Sequence, residues 1–340
     1  MMAFIRTSYL RNEAGHSAAD GKRDGTMTQR ADHTAPAVGF EPGLRASGRM
    51  HHVCFFTMVV ALITLFHGPL QALGTLALRD DRYTPILAIP FISVALTWFE
   101  RNTLFADVSP SIAIGMSTIL TALGSFYLVT YSVKPRSEYL LSLQVTTIVI
   151  LITGLFIACY GKNAFLGALF PVVFLFLMVP VPDGTLNHVV NFLQRGSAET
   201  AYRLFKLAGV PVLRESAVRF ALPSVTIEVA EECSGIRSSL SLFISSLVVG
   251  YVLLRSGWSR LLFSVVTIPV VIFKNAVRIV ALSVLGTYVD PAYLHGRLHR
   301  YGGLPFSLLA LALLAPLLLA LLRAEGAWAK SVRYQRNSAA

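Results

Sequence analysis

Three kinds of side chain in this sequence could act together on a carbonyl group: the thiol of Cys233, the guanidinium of Arg278 and the imidazoles of His295 and His299. Cys233-Ser234-Gly235 precedes an apolar run that starts at Ile236, so the thiol sits where the free N–H groups of a helix start favour its anion. Glu231 and Glu232 oppose that effect unless they are paired. Arg278 lies inside another apolar run, with Lys274 and Asn275 one helical turn before it. It keeps its proton, so its roles are to hold a carboxylate or carbonyl oxygen, or to stabilise a thiolate or oxyanion. Histidine exchanges a proton near neutral pH, as a cysteine nucleophile and its leaving group require. Taken singly, each residue has an ordinary explanation: a packed cysteine, a snorkelling arginine, a surface histidine. Their meaning depends on whether the chain brings them to one place.

The elements that must do so are membrane helices. Of 340 residues, 54% are hydrophobic and 14% charged, against about 25% charged in soluble proteins. The mean hydropathy is +0.62, yet 29 Lys and Arg against 18 Asp and Glu leave a net charge of +11. A greasy chain with surplus base reads as a polytopic membrane protein and argues against a nucleic-acid partner. Three cysteines, Cys54, Cys159 and Cys233, make neither a disulfide framework nor a spaced zinc cluster, and no metal or cofactor is expected. Residues 1–52 are polar without apolar periodicity and read as a disordered cytoplasmic tail, in which Met27 and Met50 offer alternative starts. Residues 53–322 read as the transmembrane domain, including a long segment at 182–232, and residues 323–340 as a basic cytoplasmic tail.

A stretch of roughly 20 apolar residues crosses a bilayer as a helix, and about eight such stretches occur. They are Val53 to Leu78, interrupted at His67-Gly68-Pro69; Pro85 to Phe99; Ile112 to Tyr131; Leu140 to Tyr160; Ala164 to Val181; Ile236 to Leu254; Leu261 to Leu285; and Phe306 to Leu322. The expected class is an all-α polytopic membrane protein. Connections alternate between two faces. One set holds Arg45 and Arg49, Arg101, Lys162, the Arg255 to Arg260 turn and the tail with Arg323, Lys330, Arg333 and Arg336. The other holds Arg79 and Arg82, Lys134 and Arg136, the long segment and the His295 to Arg300 loop. Basic residues stay on the cytoplasmic side, which puts both termini in the cytoplasm and the long segment outside.

Within that segment Leu186, Val190, Leu193, Ala201, Leu204, Phe205 and Ala208 recur at helical steps, with Asn187, Asn191, Arg195, Glu199, Arg203 and Lys206 between them. The pattern predicts an amphipathic helix at the outer interface. Gly209 and Pro211 end it, and alternating runs at Val218 to Leu222 and Val225 to Val229 predict a small β-hairpin across Pro223-Ser224. The hairpin leads directly to Cys233. On this topology Cys233 is the only outer thiol, Arg278 lies roughly 10 Å below the outer end of its span, and His295 and His299 occupy the next outer loop. An unpaired thiol in an oxidising compartment is a liability unless its reactivity is used.

These motifs resemble those of the exosortase and archaeosortase family of integral membrane cysteine transpeptidases. Glu231-Glu232-Cys233-Ser234-Gly235-Ile236-Arg237-Ser238 is similar to the family's E-x-C-S-G-[IL]-R-S segment, except that Glu232 stands where a small residue is usual. Asn275-Ala276-Val277-Arg278 is similar to its N-x-x-R, and His299 with Gly303 and Phe306 to its H-x-x-x-G-x-x-F. The run from Phe174 to Pro182 resembles its proline-ended span, and the likeness extends from about Phe91 to Leu322. The resemblance implies Cys233 as nucleophile, Arg278 as electrostatic stabiliser and His299 as acid/base, with His295 a poorer match. Arg237, Asn275, Glu231, Ser234 and Gly235 would support the site, Arg237 pairing with Glu232 or binding a substrate carboxylate. It further implies an enzyme of the bacterial cytoplasmic membrane, active at the outer face. Such an enzyme cleaves a C-terminal sorting signal of the PEP-CTERM kind on exported proteins: a short Pro-Glu-Pro-like motif, a transmembrane helix and a basic tail. The substrate is then joined to a surface or exopolysaccharide acceptor.

Two other classes compete. A transporter would explain many spans and an intramembrane arginine, but internal repeats and paired broken helices are not evident. A noncatalytic factor in exopolysaccharide export or assembly would explain the outer helix but not a lone outer thiol near arginine and histidine. Other proteases fit less well, because the sequence has no G-x-S-x-G, no H-E-x-x-H and no pair of intramembrane aspartates.

Overall fold

The computed structural model describes residues 43–133, 135, 137–223, 226–229, 236–290 and 303–338. The first apolar stretch is a bent pair, α1 (Gly43–Leu65) and α2 (His67–Arg79), meeting at 74°. Pro69 has no N–H to offer the carbonyl of Leu65, which interrupts the helix where the sequence predicts. A 3₁₀ turn (Thr84–Ala88) leads to α3 (Ile89–Phe99) and the single-turn α4 (Arg101–Leu104). Next come α5 (Ile112–Leu128), α6 (Ser137–Gly167), and α7 (Leu169–Phe174) with its 3₁₀ extension Leu175–Met178. The helix α8 (Asp183–Leu207) precedes a three-stranded antiparallel sheet of β1 (Leu213–Arg214), β2 (Arg219–Ala221) and β3 (Thr226–Glu228). The chain then forms α9 (Ile236–Leu253), α10 (Gly257–Tyr288) and α11 (Gly303–Ser338).

The protein is an all-α polytopic membrane protein with a small sheet. Among the described residues five helical segments are long and apolar enough to span, or up to seven if each of two bent pairs is one span, and Thr84–Phe99 is a shorter apolar helix. The expected fifth span is the main departure. Residues 164–181 are not one rod: α6 carries on to Gly167, α7 and its 3₁₀ turn supply a short piece, and the chain then bends by 98° into α8. Pro180 and Pro182 stop helix propagation there.

Gly161 accounts for the bend within α6. It has φ +91, and a Cβ at this position would lie 1.8 Å from the carbonyl oxygen of Ser109. The Ser109 loop thus presses directly on the backbone, and nearby the Ser111 N–H donates to Ile157 O at 3.3 Å. The helix α5 leans equally closely on α6, since a Cβ on Gly115 would meet Ala158 at 2.5 Å.

The principal core gathers Ala77 of α2, Ile89 of α3, Val145 and Val149 of α6, Val190 of α8, Ile244 of α9 and Val271 of α10. The apolar stripe of α8 is filled by protein: Ala198, Ala201 and Phe205 pack with Phe220 of β2 and with Ala276 and Ile279 of α10. The hairpin has the expected position, with Phe220 opposite Ile227. The strand β1 adds to it, pairing Leu213 with Ala221; the sequence reading missed it because two residues carry no alternation.

Connections that alternation assigns to one face do meet. His52 Nδ1 lies 2.9 Å from the Tyr160 hydroxyl, the Phe55 ring packs edge-on against Tyr160 with centroids 5.3 Å apart, and the Tyr251 hydroxyl donates to Glu100 at 2.9 Å. The Glu325 carboxylate accepts the N–H groups of Arg255 and Ser256 at 2.9 Å each, capping α10 from α11. At the other end Arg82 bridges Asp80 (2.7 Å) and Asp183 (3.2 Å), and the Tyr83 hydroxyl donates to Val181 O at 2.6 Å. Burial pushes the Tyr83 phenol up to about 12, so it stays a donor. This clamp ties the α2–α3 connection to the first turn of α8.

Gly161→Ala is expected to destabilise the fold by ~3 kcal/mol or more through the clash and the positive φ. Gly68→Ala, with nothing within 4 Å of its Cβ, is expected to change little; thermal unfolding of the detergent-solubilised variants checks both. The hydrogen bonds from Arg82 hold the Asp80 carboxyl below the ordinary aspartate range. The clamp is therefore complete above the unfolded aspartate pKa, ~3.9, and is lost as pH falls through the lowered folded value. The unfolding temperature should be level from roughly pH 7 to 5 and drop on further acidification. Asp80→Asn should weaken that acid drop and remove about 1 kcal/mol or less at neutral pH, since both partners are partly solvated.

Candidate active site

Cys233, with Glu231, Glu232, Ser234 and Gly235, lies outside the described residues, as do His295 and His299. The structure does fix what stands on either side of the Cys233 segment. Upstream, β3 delivers the chain to Val229, which is buried. The Val229 carbonyl accepts a hydrogen bond from the Gln194 side-chain amide of α8, and its N–H donates to Val218 O at 2.8 Å. Downstream, α9 begins at Ile236, and the hydroxyl of Ser238 accepts a 2.7 Å hydrogen bond from the Lys274 ammonium of α10.

Arg278 is half-buried on the same helix as Lys274. Residues four apart lie above one another on a helix, so the two cations share a face, and Asn275, three before Arg278, joins them. Asn275 is fully buried and Lys274 is 3% exposed. Because α10 runs on to Tyr288, Arg278 lies roughly 15 Å from that helix end at 1.5 Å per residue. That is farther from the helix end than the sequence stretch ending at Leu285 implies. Lys274 lies roughly 21 Å from one end of α10 and 26 Å from the other, and its ammonium is held by Ser238.

Arg237 points elsewhere. It donates to Asp81 at 3.1 Å, with side chains 57% and 78% exposed, so the partner found among the described residues is an acid of the α2–α3 connection. That exposed pair adds little stability but draws the first turn of α9 toward the Asp80–Arg82–Asp183 clamp. The sequence reading named Lys274 without giving it a task and left Gln194 unremarked. An ionisable group in the middle of an apolar span was the available signal for the first. A glutamine on the apolar side of α8, one residue after Leu193, was the signal for the second.

Three helices, α8 and α9 each packed on α10, carry buried polar groups: Gln194 and Ser197 on α8, Ser239 on α9, and Lys274 and Asn275 on α10. Such groups are costly in an apolar bundle unless they are bonded, and at membrane depth they mark function. The arrangement bonds the residues on either side of the Cys233 segment to α8 and to α10, the helix that carries the permanent positive charge of Arg278. That is suited to stabilising a thiolate or an oxyanion.

Residues 77–316 match the family model described as transmembrane exosortase. No curated protein and no solved structure matches the chain. The matched region takes in the strand, the two anchors of the Cys233 segment, all of α10 and the loop with both histidines, and membership supports a membrane transpeptidase-type role. With more than half of its length in that match, the chain belongs to the transmembrane exosortase family.

Proposed function

We propose that the protein is a membrane-embedded cysteine transpeptidase with Cys233 as nucleophile, Arg278 as electrostatic stabiliser and His299 as acid/base. The observation that carries this reading is that the ends of the Cys233 segment are bonded to α8 and α10 (Gln194 to Val229, Lys274 to Ser238), while α10 carries Arg278 on the same face as Lys274. Cys233 Sγ, as thiolate, adds to the scissile carbonyl carbon, and the Arg278 guanidinium holds the resulting oxyanion. The C–N bond breaks, the departing amine takes a proton from the His299 imidazolium, and a thioester remains. An acceptor nucleophile gives its proton to neutral His299, attacks the thioester and expels the thiolate. Water in that role would make the reaction hydrolysis.

The proposed substrates are exported proteins carrying a short motif, a transmembrane helix and a basic tail, and the acceptor belongs to the cell surface or an exopolysaccharide. The enzyme is placed in the bacterial cytoplasmic membrane with both termini in the cytoplasm and Cys233 at the outer face. The charge bias of the connections supports that orientation. Asn275, Arg237, Glu231, Ser234 and Gly235 support the site, and His295 is a secondary candidate beside His299.

Cys233→Ala should abolish cleavage of a tagged substrate in cells, with full-length substrate retained in the membrane; normal processing in that variant would sink the proposal. In intact spheroplasts an impermeant maleimide should label Cys233 and leave the exposed Cys54 untouched, and the reverse pattern would invert the orientation. Arg278→Lys should lower the processing rate by roughly a hundred-fold, because a point charge does not replace a planar fork at an oxyanion. Initial rates at saturating substrate check this, since the loss should fall on turnover rather than binding.

A further inference from the structure

We infer that Lys274 and Gln194 are positioning residues that hold the two ends of the Cys233 segment, so that the reacting thiol is presented by a pair of buried side-chain bonds. The inference rests on the proposed role of Cys233. Only six residues, 230–235, separate Val229 from Ile236. On one side the Gln194 amide, 8% exposed on α8, donates to the Val229 carbonyl. On the other the Lys274 ammonium, 3% exposed on α10, donates to Ser238 Oγ at 2.7 Å in the first turn of α9. Neither bond belongs to a helix or a strand ladder, and each joins elements distant in sequence.

The choice of a lysine is the informative part. A neutral donor would satisfy a serine hydroxyl at far lower desolvation cost, and an apolar residue would pack the same volume with none. Among the described residues no carboxylate lies within salt-bridge distance of Lys274. An ammonium also has three donors on a flexible stem, so it can hold Ser238 and still turn a second N–H toward the segment that Ser238 anchors. The amide of Gln194 works at the opposite end against the last residue before that segment. A displacement of about 1 Å at a reacting atom can cost a hundred-fold in rate, so the fixing of Val229 and Ser238 bears on turnover.

The test uses full-length protein with Cys54→Ala, so that buried Cys159 remains as an internal reporter of folding. Two readouts are taken on Gln194→Met, Lys274→Met, Ser238→Ala, Ser238→Thr and the Lys274→Met/Ser238→Ala double variant. One is processing of a tagged substrate, and the other is maleimide alkylation of Cys233 and Cys159 in membranes, resolved by peptide mass spectrometry. Gln194→Met, Lys274→Met and Ser238→Ala should each slow processing roughly ten-fold or more while Cys233 is alkylated several-fold faster and Cys159 stays protected. Ser238→Thr, which keeps the hydroxyl, should retain most of the activity. The double variant should be no worse than the poorer single one, because both remove the same bond. Wild-type alkylation of Cys233 in Gln194→Met or in Ser238→Ala overturns the inference, as does a double variant whose losses multiply. If Lys274→Met does not accumulate, Ser238→Ala and its threonine control decide. Alkylation does not depend on catalysis, so a failure of the enzyme reading would appear separately, as normal processing in Cys233→Ala.

Discussion

A lysine ammonium near the middle of a 32-residue apolar helix constrains everything packed around it. At 3% exposure it is surrounded by protein that must supply acceptors, and the helices that do so acquire a fixed relation to one another. The bond from Lys274 to Ser238 sets where α9 begins against α10. The apolar stripe of α8 closes the same layer from the other side, with Gly196 allowing Ile272 to approach to 3.2 Å of where its Cβ would be. The arrangement of α8, α9 and α10 follows from accommodating polar groups that an ordinary membrane bundle would not contain.

The sheet answers a related constraint. Non-helical backbone near a bilayer needs partners supplied by protein. Strands β1 to β3 satisfy one another, Phe220 is fully buried between α8 and α10, and the carbonyl at the end of the third run is taken by a side-chain amide. The amphipathic helix that the sequence suggests for the membrane interface spends most of its apolar face on this task. Phe192 and Val189, at 60% and 46% exposure, are left on the remaining surface of α8, where they can face lipid.

Much of this was legible because membrane sequences carry strong signals. Hydropathy located the long spans, period located α8, and alternation located the β2–β3 pair. The cationic residues in α10 stand out in an apolar run by charge alone. What failed to show were contacts at a distance. Nothing in the string Leu193-Gln194-Arg195 says that the amide reaches a strand, and nothing in Asp81 says that Arg237 will find it. The fifth span was misread because Ala164 to Val181 is apolar throughout, and hydropathy cannot see that Gly161, Pro171 and Pro180 deny it continuity. The bond between Glu325 and the α10 cap was equally hidden, since a single acid past the last apolar run looks like part of a solvated tail.

That last contact bears on how the protein can move. The α9–α10 hairpin is fastened where α9 starts, by Lys274 and Ser238, and again at its turn, where Glu325 holds the N–H groups of Arg255 and Ser256. A hairpin fixed at both extremities cannot scissor open without breaking a charge-assisted bond, so it behaves as a stator. Arg278 therefore keeps its distance from the start of α9 and from the hairpin turn alike.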